Sequence, residues 1–179
     1  IGTEFGTRML AAIEPIGDLD AALAALLRDD PIVPRGGDAG DRQFAMRHPL
    51  VHEVAYRSLL IARRKVLHRR IGEWLEAQGG EEALAAIATH YREGDDLDRA
   101  RRFLPLAAER AVRLNAPREA RDAYLAAADL LTDPAARASM LQPAAHLSYL
   151  IGDVSRAVEL SSEVVRLYEA AGDRVRELD

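Results

Sequence analysis

Apolar residues recur at helical spacing along almost the whole chain. Residues 4–13 and 19–28 each carry such a stripe, the second through Leu19, Leu23 and Leu26 or Leu27, and predict two short helices. The period then changes. Ile32-Val33-Pro34-Arg35 and Arg42-Gln43-Phe44-Ala45-Met46 flank the turn-rich Gly36-Gly37-Asp38-Ala39-Gly40-Asp41, which predicts a two-stranded hairpin with a long loop. Pro34 lacks a ladder donor, so its strand is expected to be short and at an edge. From His48 onward the helical period returns. Pro49 suits the first turn of a helix whose apolar face is Leu50, Val51, Val54, Ala55 and Leu59. The next helix, residues 61–77, is expected to bury Leu67, Ile71, Trp74 and Leu75 before Gly79-Gly80 ends it.

Beyond that junction the pattern becomes one of paired helices with small residues at their contacts. Helices are predicted over residues 82–92, 97–114, 117–131, 134–151 and 153–171, and short links such as Leu131-Thr132-Asp133-Pro134 make neighbours antiparallel. Ala120, Tyr124 and Ala127 align with Ala157, Ser161 and Val164 at an offset of 37, near the roughly 34-residue period of tetratricopeptide repeats. Ala88, Tyr91, Ala100, Leu104 and Ala107 carry the same small-aromatic-small spacing. Pro105 and Pro143 fall inside predicted helices, where each removes a hydrogen bond and is expected to kink or divide the helix. The predicted fold is therefore mainly α, a degenerate tetratricopeptide-like superhelix over residues 79–179. A small winged-helix-like module with a short β-hairpin and connecting helices precedes it, over residues 1–78.

Composition narrows the functional classes. A hydrophobic fraction of 49% beside 30% charged residues describes an ordered chain, and only 5% aromatics suits closely packed helices. With 29 acidic against 24 basic residues the net charge is −5, so any nucleic-acid role would need a local patch. The absence of cysteine excludes a disulfide framework, thiolate catalysis and cysteine-containing zinc sites, and fits a cytoplasmic protein. No apolar run approaches the roughly 20 residues of a membrane span, and no signal-peptide pattern opens the chain. A start at Ile1 and an end in Arg174-Val175-Arg176-Glu177-Leu178-Asp179, which reads as the beginning of a helix, predict a fragment of a longer protein.

Residues 44–76 read FAMRHPLVHEVAYRSLLIARRKVLHRRIGEWLE. This resembles the segment that follows the ATPase module in large bacterial signalling ATPases, both those linked to class III adenylate or guanylate cyclase domains and the LuxR-like transcription regulators. Phe44, His48, Ala55, Tyr56, Arg63, Arg64, Leu67, His68 and Arg69 occupy the pattern. Residues 1–5 are similar to the start of the family's winged-helix portion, and Ala88-Thr89-His90-Tyr91 to the entry of its helical repeats. The resemblance implies a regulatory place between an upstream nucleotide-binding module and further repeats. No Gly-x-x-x-x-Gly-Lys-Ser/Thr occurs, so no cofactor or nucleotide is assigned to this chain.

Individual side chains offer little chemistry. His48 and His52 have the spacing to share a metal on a helix, but His-Glu-x-x-His is absent and no third ligand is evident, so capping or core roles are expected. His68, His90 and His146 are scattered, and Asp29-Asp30 and Asp95-Asp96 sit at helix breaks where capping explains them. No nucleophile with its base and orienting acid can be named, and no catalytic residue is expected. The sharper candidate is the basic stretch Arg57, Arg63, Arg64, Lys65, Arg69 and Arg70, which could meet phosphate, an acidic partner or a neighbouring domain, or simply form a solvated face. DNA recognition by the winged module is not expected, because Asp18, Asp20, Asp29 and Asp30 on its helix would be repelled by phosphates. The expected function is a non-catalytic regulatory and protein-interaction segment of a signalling ATPase, its partner a protein, a peptide or the parent's own ATPase module. The alternative is nucleic-acid binding through the basic helix, residues 57–70.

Overall fold

A computed structural model of the chain describes residues 3–38 and 40–172. It is mainly helical, with a small antiparallel sheet, and it splits into two compact units, one of residues 1–78 with 93–95 and one of the remainder. Residues 174–179, where a further helix is expected from sequence, lie outside the described part.

The first unit opens with a strand. Glu4–Gly6 forms β1, and only Thr7–Ile13 is helical (α1), although the apolar stripe predicts a helix from residue 4. The reason is non-local. Phe5 stands opposite Phe44 in the ladder, and their rings stack at 5.8 Å, an attraction no local period can announce. Leu19–Arg28 (α2) starts at an Asp18 cap, whose carboxylate accepts from the Ala21 amide at 2.9 Å. β2 (Ile32–Asp38) and β3 (Asp41–Met46) make the hairpin, and the sheet order β1-β3-β2 places Pro34 on an edge strand. The ladder runs past the predicted long loop to Asp38–Asp41, and a register shift between Pro34 and Gly36 absorbs one residue. Gly37 makes this possible: its φ is +94°, and a Cβ there would sit 2.3 Å from the Asp41 carbonyl. Asp38 closes the turn by accepting from the amides of Gly40 and Asp41, each at 2.8 Å.

Leu23, Ile32 and Phe44 form the centre of this unit's core, with Leu10, Leu19 and Met46 packed around them. Pro49–Ser58 (α3) and Ile61–Gln78 (α4) complete the unit. α3 buries none of its residues fully, and its expected core positions Leu50 and Val54 are 78% and 69% exposed. α4 buries His68, Ile71 and Gly72; Leu67, Trp74 and Leu75 are only half-buried.

In the second unit a short 3₁₀ turn, Glu81–Ala83, leads into Leu84–Glu93 (α5), Leu97–Arg113 (α6), Pro117–Asp129 (α7), Pro134–Leu150 (α8) and Val154–Ala170 (α9). Leu97 to Pro134 and Pro117 to Val154 are both steps of 37, so the α6/α7 pair recurs as α8/α9. Burial recurs with it. Leu104, Ala107, Ala108, Ala120 and Ala127 are buried, and so are their equivalents Leu141, Ala144, Ala145, Ala157 and Val164. The alanines let helix backbones approach closely, and the Ala138–Leu141–Leu160 cluster, with Tyr124 and Leu125 packed against it, continues the core from α7 into α9.

The turns recur as well. Asp95, Asn115 and Gly152 have φ of 61°, 55° and 84°, each the left-handed residue after a helix. The amides that follow, of Asp96, Ala116 and Asp153, donate back to Tyr91, Ala111 and Ser148, each at 2.9 Å. Those same residues are the N-caps of the next helices; Asp96 and Asp153 add a side-chain bond and Ala116 does not. The end of α7 differs. Arg101 donates to the Leu130 carbonyl at 2.8 Å and Arg137 to that of Ala128 at 3.0 Å. Of the two outcomes expected at Pro105 and Pro143, a kink or a division, division does not occur: α6 and α8 run through them. Each lies between buried anchors, Leu104 with Ala107 and Leu141 with Ala144, whose packing outweighs the lost bond.

Candidate functional site

The basic stretch is dispersed by its acidic neighbours within the first unit. On α3, Arg57 pairs with Glu53 one turn earlier, at 2.5 Å. From α4, Arg63 pairs with Glu14, while Arg70 bonds the same carboxylate at 3.2 Å and the Ile13 carbonyl at 2.8 Å, so two arginines clamp the end of α1. Lys65 meets Asp95 at 2.7 Å, and this hydrogen bond, with Arg69 adding to it electrostatically, holds the Asp95 carboxyl below its ordinary range. Arg64 lies over the Tyr56 ring at 5.0 Å. A helix whose cations are engaged this way offers phosphate few free charges. Acids on and just after α2 are matched similarly: Asp20 pairs with Arg42 and Asp30 with Arg47.

Tyr56 and His68 are brought together by the α3–α4 turn. The Tyr56 hydroxyl and His68 Nε2 are 3.0 Å apart, His68 is 4% exposed, and burial lowers its pKa from the ordinary value. His52 stacks on the other side, its ring 6.2 Å from that of Tyr56. Read from sequence, His68 looks isolated; its partner lies 12 residues away on a helix that turns back. His48 begins α3 as its N-cap without a side-chain cap bond, and no group of three or more His, Cys, Asp or Glu among the described residues could hold a metal. Beside this cluster, α1, α2, α3 and the sheet enclose a cavity of about 550 Å³ walled by apolar side chains such as Leu10, Ile13, Leu23 and Ile32.

The larger concavity, about 810 Å³, lies in the second unit between α8 and α9. Ala145, Tyr149, Val154 and Val158 give it an apolar wall, with Gln142, His146, Ser161 and Ser162 as its polar groups and no Asp, Glu, Lys or Arg. Tyr149, Val154 and Val158 are 63%, 54% and 61% exposed. Tyr149, Val154 and Val158 are not prominent in a linear reading, where they pass for the backs of amphipathic helices. The offset of 37 holds the missed signal, since it sets Val158 opposite Arg121, an apolar residue where the preceding pair carries a charge.

Among the described residues no helix is long and apolar enough to cross a membrane. No family model, curated protein or solved structure matches the chain.

Proposed function

We propose that the chain is a non-catalytic regulatory and protein-interaction segment, in which tetratricopeptide-like repeats follow a winged-helix-like module as in the large signalling ATPases that residues 44–76 resemble. The observation that carries this reading is the 37-residue recurrence of buried small residues in α6/α7 and α8/α9, joined to an uncharged groove on the second pair. A solenoid satisfies its hydrophobic faces by stacking, and the surface left over at a repeat is a binding surface. The partner is a protein, either a separate one or the ATPase module of the parent. Nucleic acid is the weaker reading, because Arg57, Arg63, Lys65 and Arg70 are engaged by Glu53, Glu14 and Asp95.

Affinity purification of the tagged full chain from its source cells tests this. Reproducible retention of one protein, or docking onto the parent's own ATPase module, is the expected result; failure to retain either turns against the reading. A shifted DNA or RNA band that weakens steeply with added salt would favour nucleic acid instead.

A further inference from the structure

We infer that α3 is a lid over the apolar cavity of the first unit, latched by Tyr56 on His68, and that it opens while the rest of that unit stays folded. The inference is independent of the interaction reading above and concerns the first unit alone.

A helix this short does not hold itself. Its 10 residues fall below the roughly 12–15 at which an isolated helix becomes even marginal in water. Pro49 suits its first turn, but His48 caps it without a side-chain bond and no acid stands there to meet the helix dipole. Its own side chains add the Arg57–Glu53 pair and a bond from the Ser58 hydroxyl to the Ala55 carbonyl, both at the surface. Seating is therefore what keeps α3 helical, and the seat is narrow. No residue of α3 is buried, and the half-buried ones are His52, Glu53 and Tyr56. Val51, His52, Ala55 and Tyr56 border the cavity of about 550 Å³ rather than a packed core. The neighbouring elements differ: α2 buries Leu23, β3 buries Phe44 and Ala45, and α4 buries His68, Ile71 and Gly72. Tyr56 makes the junction. Its hydroxyl lies 3.0 Å from Nε2 of the buried His68, its ring meets the His68 ring edge-on at 6.0 Å, and the Arg64 guanidinium lies over its face. All three contacts reach from α3 to α4. An element with so little burial opens locally, at a lower free energy than global unfolding, and its departure brings the apolar wall of Leu10, Ile13, Leu23 and Ile32 into contact with water.

Native-state hydrogen exchange on the full chain, read by mass spectrometry of its fragments, is the test. In the wild type the α3 amides are expected to be protected, yet to exchange at least about tenfold faster than those of β3 and α4 once intrinsic rates are divided out. Urea below the unfolding transition should accelerate β3 and leave α3 nearly unchanged, because a local opening exposes little surface. Tyr56→Phe keeps the ring and removes the hydroxyl, and should accelerate α3 exchange about fivefold. Phe44→Leu is the counter-variant. Phe44 belongs to the core cluster with Leu23 and Ile32 but does not line the cavity, so its truncation should accelerate β3 exchange about tenfold while α3 keeps its wild-type rate. Unchanged circular dichroism verifies that both variants fold, and the urea series, which needs the wild type alone, decides the matter even if Phe44→Leu does not. Equal acceleration of α3 and β3, by urea or by Phe44→Leu, would mean that α3 opens only with the whole unit and overturns the inference. So would α3 amides without protection, or an α3 rate that Tyr56→Phe leaves unchanged, since the latch would then hold nothing.

Discussion

The two units solve the same packing problem with different materials. The first gathers a few large side chains from distant places, Leu23, Ile32 and Phe44, leaves α3 without a single fully buried residue, and ties its periphery with arginine–carboxylate pairs. The second repeats one small-residue pattern at a fixed step, and its most buried positions are largely alanines. The first unit depends on long-range coincidences and has a cavity of about 550 Å³ beside its core, while the second depends on local regularity, and its concavity of about 810 Å³ lies along α8 and α9 outside the alanine-rich cluster.

Truncation at matched positions is the strongest way to break this contrast. Leu141 and Leu23 are both 2% exposed, but Leu23 lines the cavity and has fewer neighbours to lose. Leu141→Ala should cost about 3–5 kcal/mol and Leu23→Ala about 2–3 kcal/mol. Urea unfolding can separate the units, since Trp74, the one tryptophan of the chain, belongs to the first. Equal costs, or the reverse order, would end the comparison. Helix caps provide a smaller effect confined to the second unit. Asp153→Ala should lose about 1 kcal/mol, and Ala116→Asp, which supplies the cap bond missing at that turn, should gain roughly half as much or more. Thermal melts read by ellipticity would register both shifts.

Acid offers a subtler probe of the first unit. Because burial lowers the His68 pKa in the folded chain, the unfolded chain takes up that proton first. The His68 contribution to stability is therefore complete above its ordinary pKa and declines as pH falls through that value toward the folded one. Trp74-detected stability should drop between pH 8 and pH 5 in the wild type, and less so in His68→Gln; parallel profiles would show that His68 is not the titrating group. Least of all, Glu14→Gln should cost below about 1 kcal/mol, since the Arg63 and Arg70 pairs are partly solvated. A larger loss would mean that the α1 clamp holds the first unit together.

Local features were legible in the sequence and distant ones were not. Pro49, Pro117 and Pro134 stand at the first helical turns, Asp96, Asp133 and Asp153 cap, and the offset of 37 is visible without coordinates because each is a short-range signal. Glu4–Gly6 was misleading: its helical stripe yields to β3, which lies about 40 residues away. Arg63, Lys65 and Arg70 show the same limit, since neither Glu14 nor Asp95 adjoins them along the chain. Pro105 and Pro143 illustrate the converse, a strong local signal overridden by buried neighbours. For the candidate groove, the repeat register was readable but the exposure of Val154 and Val158 was not, because solvent access depends on which helix face the stack happens to cover.

The unequal turns also govern where the chain can tolerate growth. Between α6 and α7, and again between α8 and α9, three residues with a left-handed one in the middle make the connection, tied back by backbone bonds, so a single inserted residue would rotate everything downstream by about a quarter-turn or more. The link from α7 to α8 is one residue longer and has no left-handed residue; Leu131 and Thr132 lie outside any helix, and Arg101 and Arg137 add side-chain bonds to the backbone bonds that end α7. A flexible tag spliced after Thr132 should therefore leave both helix pairs folded, making this joint the natural place for length variation and for the cut of a circular permutant.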